Sequence, residues 1–135
     1  PIKGYSLTLP MQGAEPAPRV SVTDLGRKTV FAPLGAELRV AAIAEIGGHA
    51  RHLEGNRIAQ MRSSVAALYP AHVDAQAHGR PWLGLRPATP TSVPIVRRSK
   101  RHANVFFNVG HGALGLTLAA GSAVALQRCV SECMS

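Results

Sequence analysis

A group of closely spaced prolines restricts the folding of this 135-residue chain more than any other feature. Pro81, Pro87, Pro90 and Pro94 all lie in the stretch 71–99. Proline lacks an amide proton and disfavours helical backbone in the residue before it. No long helix can therefore form in this stretch, and we expect extended or turn backbone there.

The first half of the chain has the pattern of strands followed by one helix. Strand-forming residues cluster at 5–9, 29–32 and 37–41, and 34–36 is typical of a hairpin turn. Between 55 and 69, apolar residues recur every three or four positions, which predicts a helix that covers a sheet. These apolar positions are Ile58, Met61, Val65 and Leu68.

After the prolines, the pattern predicts a buried strand at 104–109, a tight loop at 110–112 and an apolar helix from 114 to about 130. The predicted fold class is therefore α+β. It has a mainly antiparallel or mixed sheet with one covering helix, then the proline-rich segment, a strand and a C-terminal helix.

Composition excludes several classes of protein. A hydrophobic content of 46% argues against intrinsic disorder. Two cysteines, Cys129 and Cys133, are too few for a disulfide framework or a four-cysteine zinc site, and we expect no metal. The apolar run 113–126 is shorter than the roughly 20 residues of a membrane span, so we expect a buried helix and no transmembrane segment.

Three glycines, Gly110, Gly112 and Gly115, spell G-x-G-x-x-G between the predicted strand and helix. A dinucleotide-binding fingerprint also needs a second strand with an acidic residue about 20 positions on. Glu132 has nearly that spacing but no strand precedes it, so we reject this interpretation. Either the loop faces a planar or anionic ligand at a helix start, or its glycines only allow close packing.

Several sequence blocks resemble the FAD-dependent D-amino acid oxidase superfamily, and within it the C-terminal third of bacterial D-amino acid dehydrogenases. The blocks are PIKGYSLTLP at 1–10, LRV at 38–40, AEI at 44–46, LYP at 68–70, WLGLRPATP at 82–90 and NVGHGALGLT at 108–117. The order and spacing of the last two blocks are the most specific part of this resemblance.

The resemblance implies FAD as cofactor and an amino acid as substrate, with hydride transfer from the substrate Cα to flavin N5 and hydrolysis of the imino acid to a 2-oxo acid. It assigns 1–81 to a substrate-binding domain and 82–135 to the C-terminal part of an FAD-binding domain. Arg86 and Tyr5 would bind substrate. The cofactor-binding residues would be Gly110, His111, Gly112, Ala113, Leu114, Gly115, Leu116 and Thr117.

Simpler roles stand beside these assignments. Arg86 could satisfy carbonyl groups of the proline-rich loop, and Tyr5 could be a half-buried strand aromatic. Trp82 and Tyr69 are expected to be core anchors. The chain also departs from the family, because it has Thr91-Ser92 where Asp-Gly is usual, which questions the geometry of that loop.

Other functions and partners follow from the same sequence. The net charge of +8 and the basic run 97–102 would suit a nucleic-acid-binding module, although 4% aromatic content argues against one. A non-catalytic remnant that binds a partner is another alternative. The resemblance further implies a missing N-terminal FAD-domain segment or partner chain, and no activity of this chain alone. If the apolar last helix lacks its usual cover, we expect a dimer, a partner chain or poor solubility. We expect a cytoplasmic location, with the inner face of a bacterial membrane as one alternative.

Overall fold

The computed structural model describes residues 1–13 and 18–133, and its architecture is α+β. The chain divides into two compact units. The sheet unit comprises Lys3–Leu85, and the loop-helix unit comprises Pro1–Ile2 with Arg86–Ser135.

Five strands form one sheet in the order β2-β3-β4-β1-β5. Antiparallel pairing joins β2 to β3 and β3 to β4, with Phe31 opposite Val40. The predicted hairpin turn is confirmed, because β3 ends at Leu34, β4 begins at Glu37 and Gly35 has a φ of +61°. The strand bounds are β1 Ile2–Pro10, β2 Val22–Asp24, β3 Thr29–Leu34, β4 Glu37–Ile46 and β5 Arg80–Arg86.

The predicted helix is confirmed as α1, Gly55–Leu68, and it contributes Met61 and Val65 to the core. These residues cluster with Leu7, Leu9, Phe31, Leu38 and Val40 of the strands. Tyr69 packs its ring edge-on against Phe31 at a centroid distance of 5.2 Å, as expected of a core anchor. Apolar burial between sheet and helix therefore stabilises this unit.

The proline-rich stretch contains no helix, as predicted, but it does contain two strands, β5 and β6, Ile95–Arg98. Pro81 is tolerated because β5 lies at the edge of the sheet, where a missing amide leaves no partner unsatisfied. Trp82 of β5 is 57% exposed in this structure, so its prediction as a core anchor is wrong.

In the loop-helix unit, β6 pairs antiparallel with β7, Phe106–Val109. A single 3₁₀ turn, Gly112–Leu114, leads into α2, Gly115–Ser131, which packs against both strands. We predicted a buried strand here, but β7 is only half-buried.

Helix α2 is largely exposed, and Ser122 alone is buried among its residues that the structure describes. The prediction of a buried helix is therefore wrong for this chain. By length and composition the segment Gly112–Ser131, with a mean hydropathy of 1.4, could cross a membrane. It is longer than the run 113–126 on which we based the expectation of no transmembrane segment, but helices that pack inside soluble proteins meet the same criterion.

Candidate functional site

The two sequence blocks that carry the resemblance most specifically meet in the loop-helix unit. The backbone N–H of Gly112 donates a hydrogen bond to the carbonyl of Pro87 at 2.8 Å. Ala88 and His111 also form an isolated antiparallel bridge. The glycine loop is therefore held beside the segment that follows Arg86.

The glycines of this loop are not equivalent. Gly110 has a φ of +85°, and a Cβ placed there would lie 2.6 Å from Cγ2 of Thr89. Gly112 also has a positive φ, at +56°. Gly115 has a helical φ of −53°, and the nearest atom to a built Cβ is 3.8 Å away. Backbone geometry thus requires glycine at the first position, favours it at the second and does not require it at the third.

A cavity of about 250 Å³ opens beside the loop. Ser92 and His111 are its only lining residues with polar side chains, and the others are apolar or glycine. They are Ile2, Ala88, Gly110, Gly112, Ala113 and Leu114.

Two polar atoms in or just before the glycine loop lack a hydrogen-bond partner among the described residues. They are Nε2 of His111 and Oδ1 of Asn108, each buried from solvent. Buried polar atoms in folded proteins are nearly always paired with protein, water or a bound group. These two atoms therefore call for a partner from outside the described chain.

The start of α2 is suited to a ligand that carries negative charge. No side chain among the described residues caps this helix, and its first turn contains no acidic residue. Uncapped amides and the positive end of the helix dipole favour an anionic group. The predicted cofactor residues Ala113 to Thr117 are exposed at this end, and Leu116 is 93% exposed.

Arg86 is the last residue of β5 and is half-buried. Within the described residues its guanidinium has no hydrogen bond or ion pair, so the simpler role of satisfying loop carbonyls finds no support here. Arg98 does have that kind of role, because its Nε donates to the carbonyl of Ala103 at 2.8 Å. A planar cation without a protein partner is suited to a carboxylate ligand.

Tyr5 belongs to the sheet unit and is 1% exposed. Its hydroxyl is buried without a partner in the part of the chain that the structure describes, so it is more deeply buried than the half-buried aromatic we considered. Lys3, two positions earlier, is also buried and donates from Nζ to Oε1 of Glu45 at 3.1 Å. This hydrogen bond, with charge from Lys3 and Arg57, lowers the pKa of Glu45.

Sequence reasoning did not identify Ser92, Thr89 or Asn108 as site residues. The only signal was the Thr91-Ser92 departure from the family pattern. The basic run 97–102 lies at the end of β6 and in the turn after it, and Arg97 stacks over Phe107 at 5.7 Å. No metal-binding group of three His, Cys, Asp or Glu side chains occurs within residues 1–13 and 18–133.

Comparisons with known proteins agree with these features. The family model described as DAO, FAD dependent oxidoreductase, matches residues 1–128. D-amino acid dehydrogenase 2 of Ralstonia nicotianae is 48% identical over 130 residues, which cover 91% of this chain and 30% of that protein. D-amino acid dehydrogenase of Dechloromonas aromatica is 43% identical and matches 97% of this chain and 31% of its own length. The chain thus spans about 30% of the length of these curated relatives.

Solved structures share the fold. Glycine oxidase from Geobacillus kaustophilus superposes with a TM-score of 0.80 at 19% identity, over 98% of this chain and 35% of that one. Iminodiacetate oxidase from Chelativorans superposes with a TM-score of 0.79 at 21% identity, over 98% and 36% of the two chains.

Proposed function

Because this chain belongs to the DAO family of FAD-dependent oxidoreductases, we propose that it supplies the substrate sheet and the flavin-covering loop of an enzyme that oxidises D-amino acids. The match to D-amino acid dehydrogenases at 43–48% identity supports this substrate class. Bound FAD would supply the chemistry by accepting a hydride from the substrate Cα, and water would convert the resulting imino acid to a 2-oxo acid.

The loop-helix unit has features that fit a flavin. The positive φ of Gly110 and Gly112 lets backbone approach a planar ring closely. The buried Nε2 of His111 and Oδ1 of Asn108 offer hydrogen-bonding atoms that no described residue uses. The uncapped start of α2 would stabilise negative charge on the reduced ring through its amides and dipole. The residues that would hold the cofactor are those from Gly110 to Thr117.

The observation that carries the proposal is the position of Arg86. Its guanidinium has no partner among the described residues, and the next residue, Pro87, accepts the hydrogen bond from Gly112 of the glycine loop. Arg86 therefore immediately precedes a residue that is hydrogen-bonded to the glycine loop. A carboxylate bound by Arg86 would lie near this loop, which would hold the cofactor. The bidentate geometry of guanidinium would orient the substrate.

Tyr5 and the domain division complete the proposal. We assign residues 1–81 to the substrate-binding domain and 82–135 to the FAD-binding domain. Tyr5 would direct its unpartnered hydroxyl to the substrate. The cradle for the adenosine half of FAD would come from an N-terminal segment or partner chain, so the 135-residue chain alone would bind FAD poorly and be inactive.

The enzyme would work at the cytoplasmic face of a bacterial membrane and pass electrons to a respiratory acceptor.

Substitution of Arg86 tests this function in the full product of the gene that encodes these residues, purified with FAD. Arg86→Gln should lower kcat/KM for a D-amino acid by roughly 10- to 100-fold, since charged hydrogen bonds are lost. Arg86→Lys should recover part of the loss because it restores only the charge. Flavin content should not change in either variant.

Arg101→Gln is the matched control, because Arg101 is exposed in the turn between β6 and β7 and its side chain has no described partner. Wild-type rates in Arg86→Gln would contradict the assignment of Arg86. A wild-type protein that binds no FAD, or that binds FAD and oxidises no D-amino acid, would refute the proposed function itself.

A further inference from the structure

Ser92 has a backbone conformation that serine rarely adopts. Its φ is +60°, and only one other non-glycine residue in the described chain, Lys28, has a positive φ. The turn closes with a hydrogen bond from the Ser92 N–H to the carbonyl of Thr89 at 3.1 Å. A side chain in the left-handed region is strained, whereas glycine adopts it at no steric cost.

Local hydrogen bonding does not explain why serine occupies this position. The hydroxyl of Thr89 donates to the carbonyl of Val93 at 2.9 Å, and that of Thr91 accepts from the Val93 N–H at 3.4 Å. Both threonines thus stabilise the turn. The Ser92 hydroxyl has no hydrogen bond within the described residues, so it contributes nothing to the turn that glycine would lack.

Ser92 is instead exposed and lines the cavity beside the glycine loop. His111 is the other residue with a polar side chain that lines this cavity. The remaining lining is apolar or glycine, which suits the face of a flat ring. Backbone strain that persists at a cavity is typical of residues that contact a ligand.

We propose that Ser92 is a cofactor-binding residue whose hydroxyl hydrogen-bonds a polar edge of the flavin ring in this cavity. The strained backbone is retained because glycine would remove that hydroxyl. This proposal rests on the proposed function, since it requires that the full protein binds FAD. It adds a contact that the family pattern in the sequence did not predict.

Two variants of the full gene product separate the hydroxyl from the strain. Ser92→Ala removes the hydroxyl and keeps a Cβ in the strained conformation. Ser92→Gly removes both. Each variant should raise the dissociation constant for FAD by about 2- to 10-fold, the effect of one lost hydrogen bond, and should shift the visible flavin absorption bands.

The thermal midpoint of the apoprotein gives a second readout. Ser92→Gly should raise this midpoint by about 1–4 °C, because relief of strain outweighs the greater freedom of glycine in the unfolded chain. Ser92→Ala should not raise it. Lys28→Gly is a matched control, because it gives the same relief at a residue of the sheet unit that does not line the cavity, and FAD affinity should stay unchanged.

Wild-type FAD affinity in Ser92→Ala would overturn the proposal, whether or not Ser92→Gly also binds normally, because the hydroxyl would then have no role. Weaker binding by both variants, with a stabilised Ser92→Gly apoprotein, would support it. Failure of the wild-type protein to bind FAD at all would instead refute the proposed function, so the two failures are distinguishable.

Discussion

Gly110→Ala is the substitution whose cost can be worked out most directly from this structure. The φ of +85° is unfavourable for alanine by about 1–2 kcal/mol. The new Cβ would also lie 2.6 Å from Cγ2 of Thr89, and such overpacking typically costs about 1–3 kcal/mol. We therefore expect a loss of roughly 2–5 kcal/mol in the free energy of unfolding.

Urea-induced unfolding followed by far-UV circular dichroism measures this loss, and two further variants separate its components. Gly115→Ala is the matched control, because its φ is −53° and the nearest atom lies 3.8 Å from the new Cβ. Alanine should be neutral or slightly stabilising there. Thr89→Ser removes Cγ2 but keeps the hydroxyl that donates to the Val93 carbonyl.

In a double-mutant cycle, Thr89→Ser should restore roughly 1–3 kcal/mol of the Gly110→Ala loss, the steric part, and leave the conformational part. Equal unfolding free energies for Gly110→Ala and Gly115→Ala would refute this reasoning. It would mean that the loop takes another backbone path and that the positive φ is not required.

Three further outcomes are expected. Tyr5→Phe should leave thermal stability unchanged or slightly higher, because no described residue forms a hydrogen bond with the buried hydroxyl. The KM for the amino acid should rise about 2- to 10-fold, and an unchanged KM would count against a substrate role of Tyr5. The hydrogen bonds from Arg80, both at 2.6 Å, lower the pKa of Glu37, so their stabilisation should be present above the ordinary value of 4.5 and disappear as pH falls through the lowered folded pKa. Glu37→Gln should therefore remove part of the acid-induced fall in the denaturation midpoint, and identical pH profiles would contradict this. Leu116→Gln should reduce hydrophobic-dye binding and self-association of the 135-residue chain, because Leu116 is 93% exposed. Leu25→Gln, at a position that is 82% exposed, should not, and equal effects would argue against α2 as the associating surface.

Local physics explains which elements the sequence predicted. Gly35 marked the hairpin because its turn requires a positive φ, and the spacing of Met61 and Val65 marked α1 because both side chains point into one core. These signals depend only on neighbours along the chain. We did not predict the edge strand β5, because a proline within a run of residues argues against a strand. An edge position nevertheless tolerates Pro81.

The exposure of α2 and of Trp82 could not be predicted in the same way. Apolar composition indicates that a surface tends to be covered, but it does not identify the covering group. The described residues leave Leu116 93% exposed and Trp82 57% exposed. Likewise, Ser92 was visible only as a departure from a pattern, because the sequence contains no direct information on its φ of +60° or on the cavity beside it.

The glycine motif illustrates how a sequence match and a physical requirement can separate. In a dinucleotide-binding fingerprint the preceding strand belongs to a parallel sheet and the third glycine allows close helix packing. Here β7 pairs antiparallel with β6, and a Cβ at Gly115 would make only an ordinary contact, 3.8 Å from Cβ of His111. The spacing of the third glycine is therefore incidental, in line with our rejection of the dinucleotide-binding interpretation. Gly110 and Gly112 are set by their backbone conformation, so selection for the path of this loop would act on these two positions.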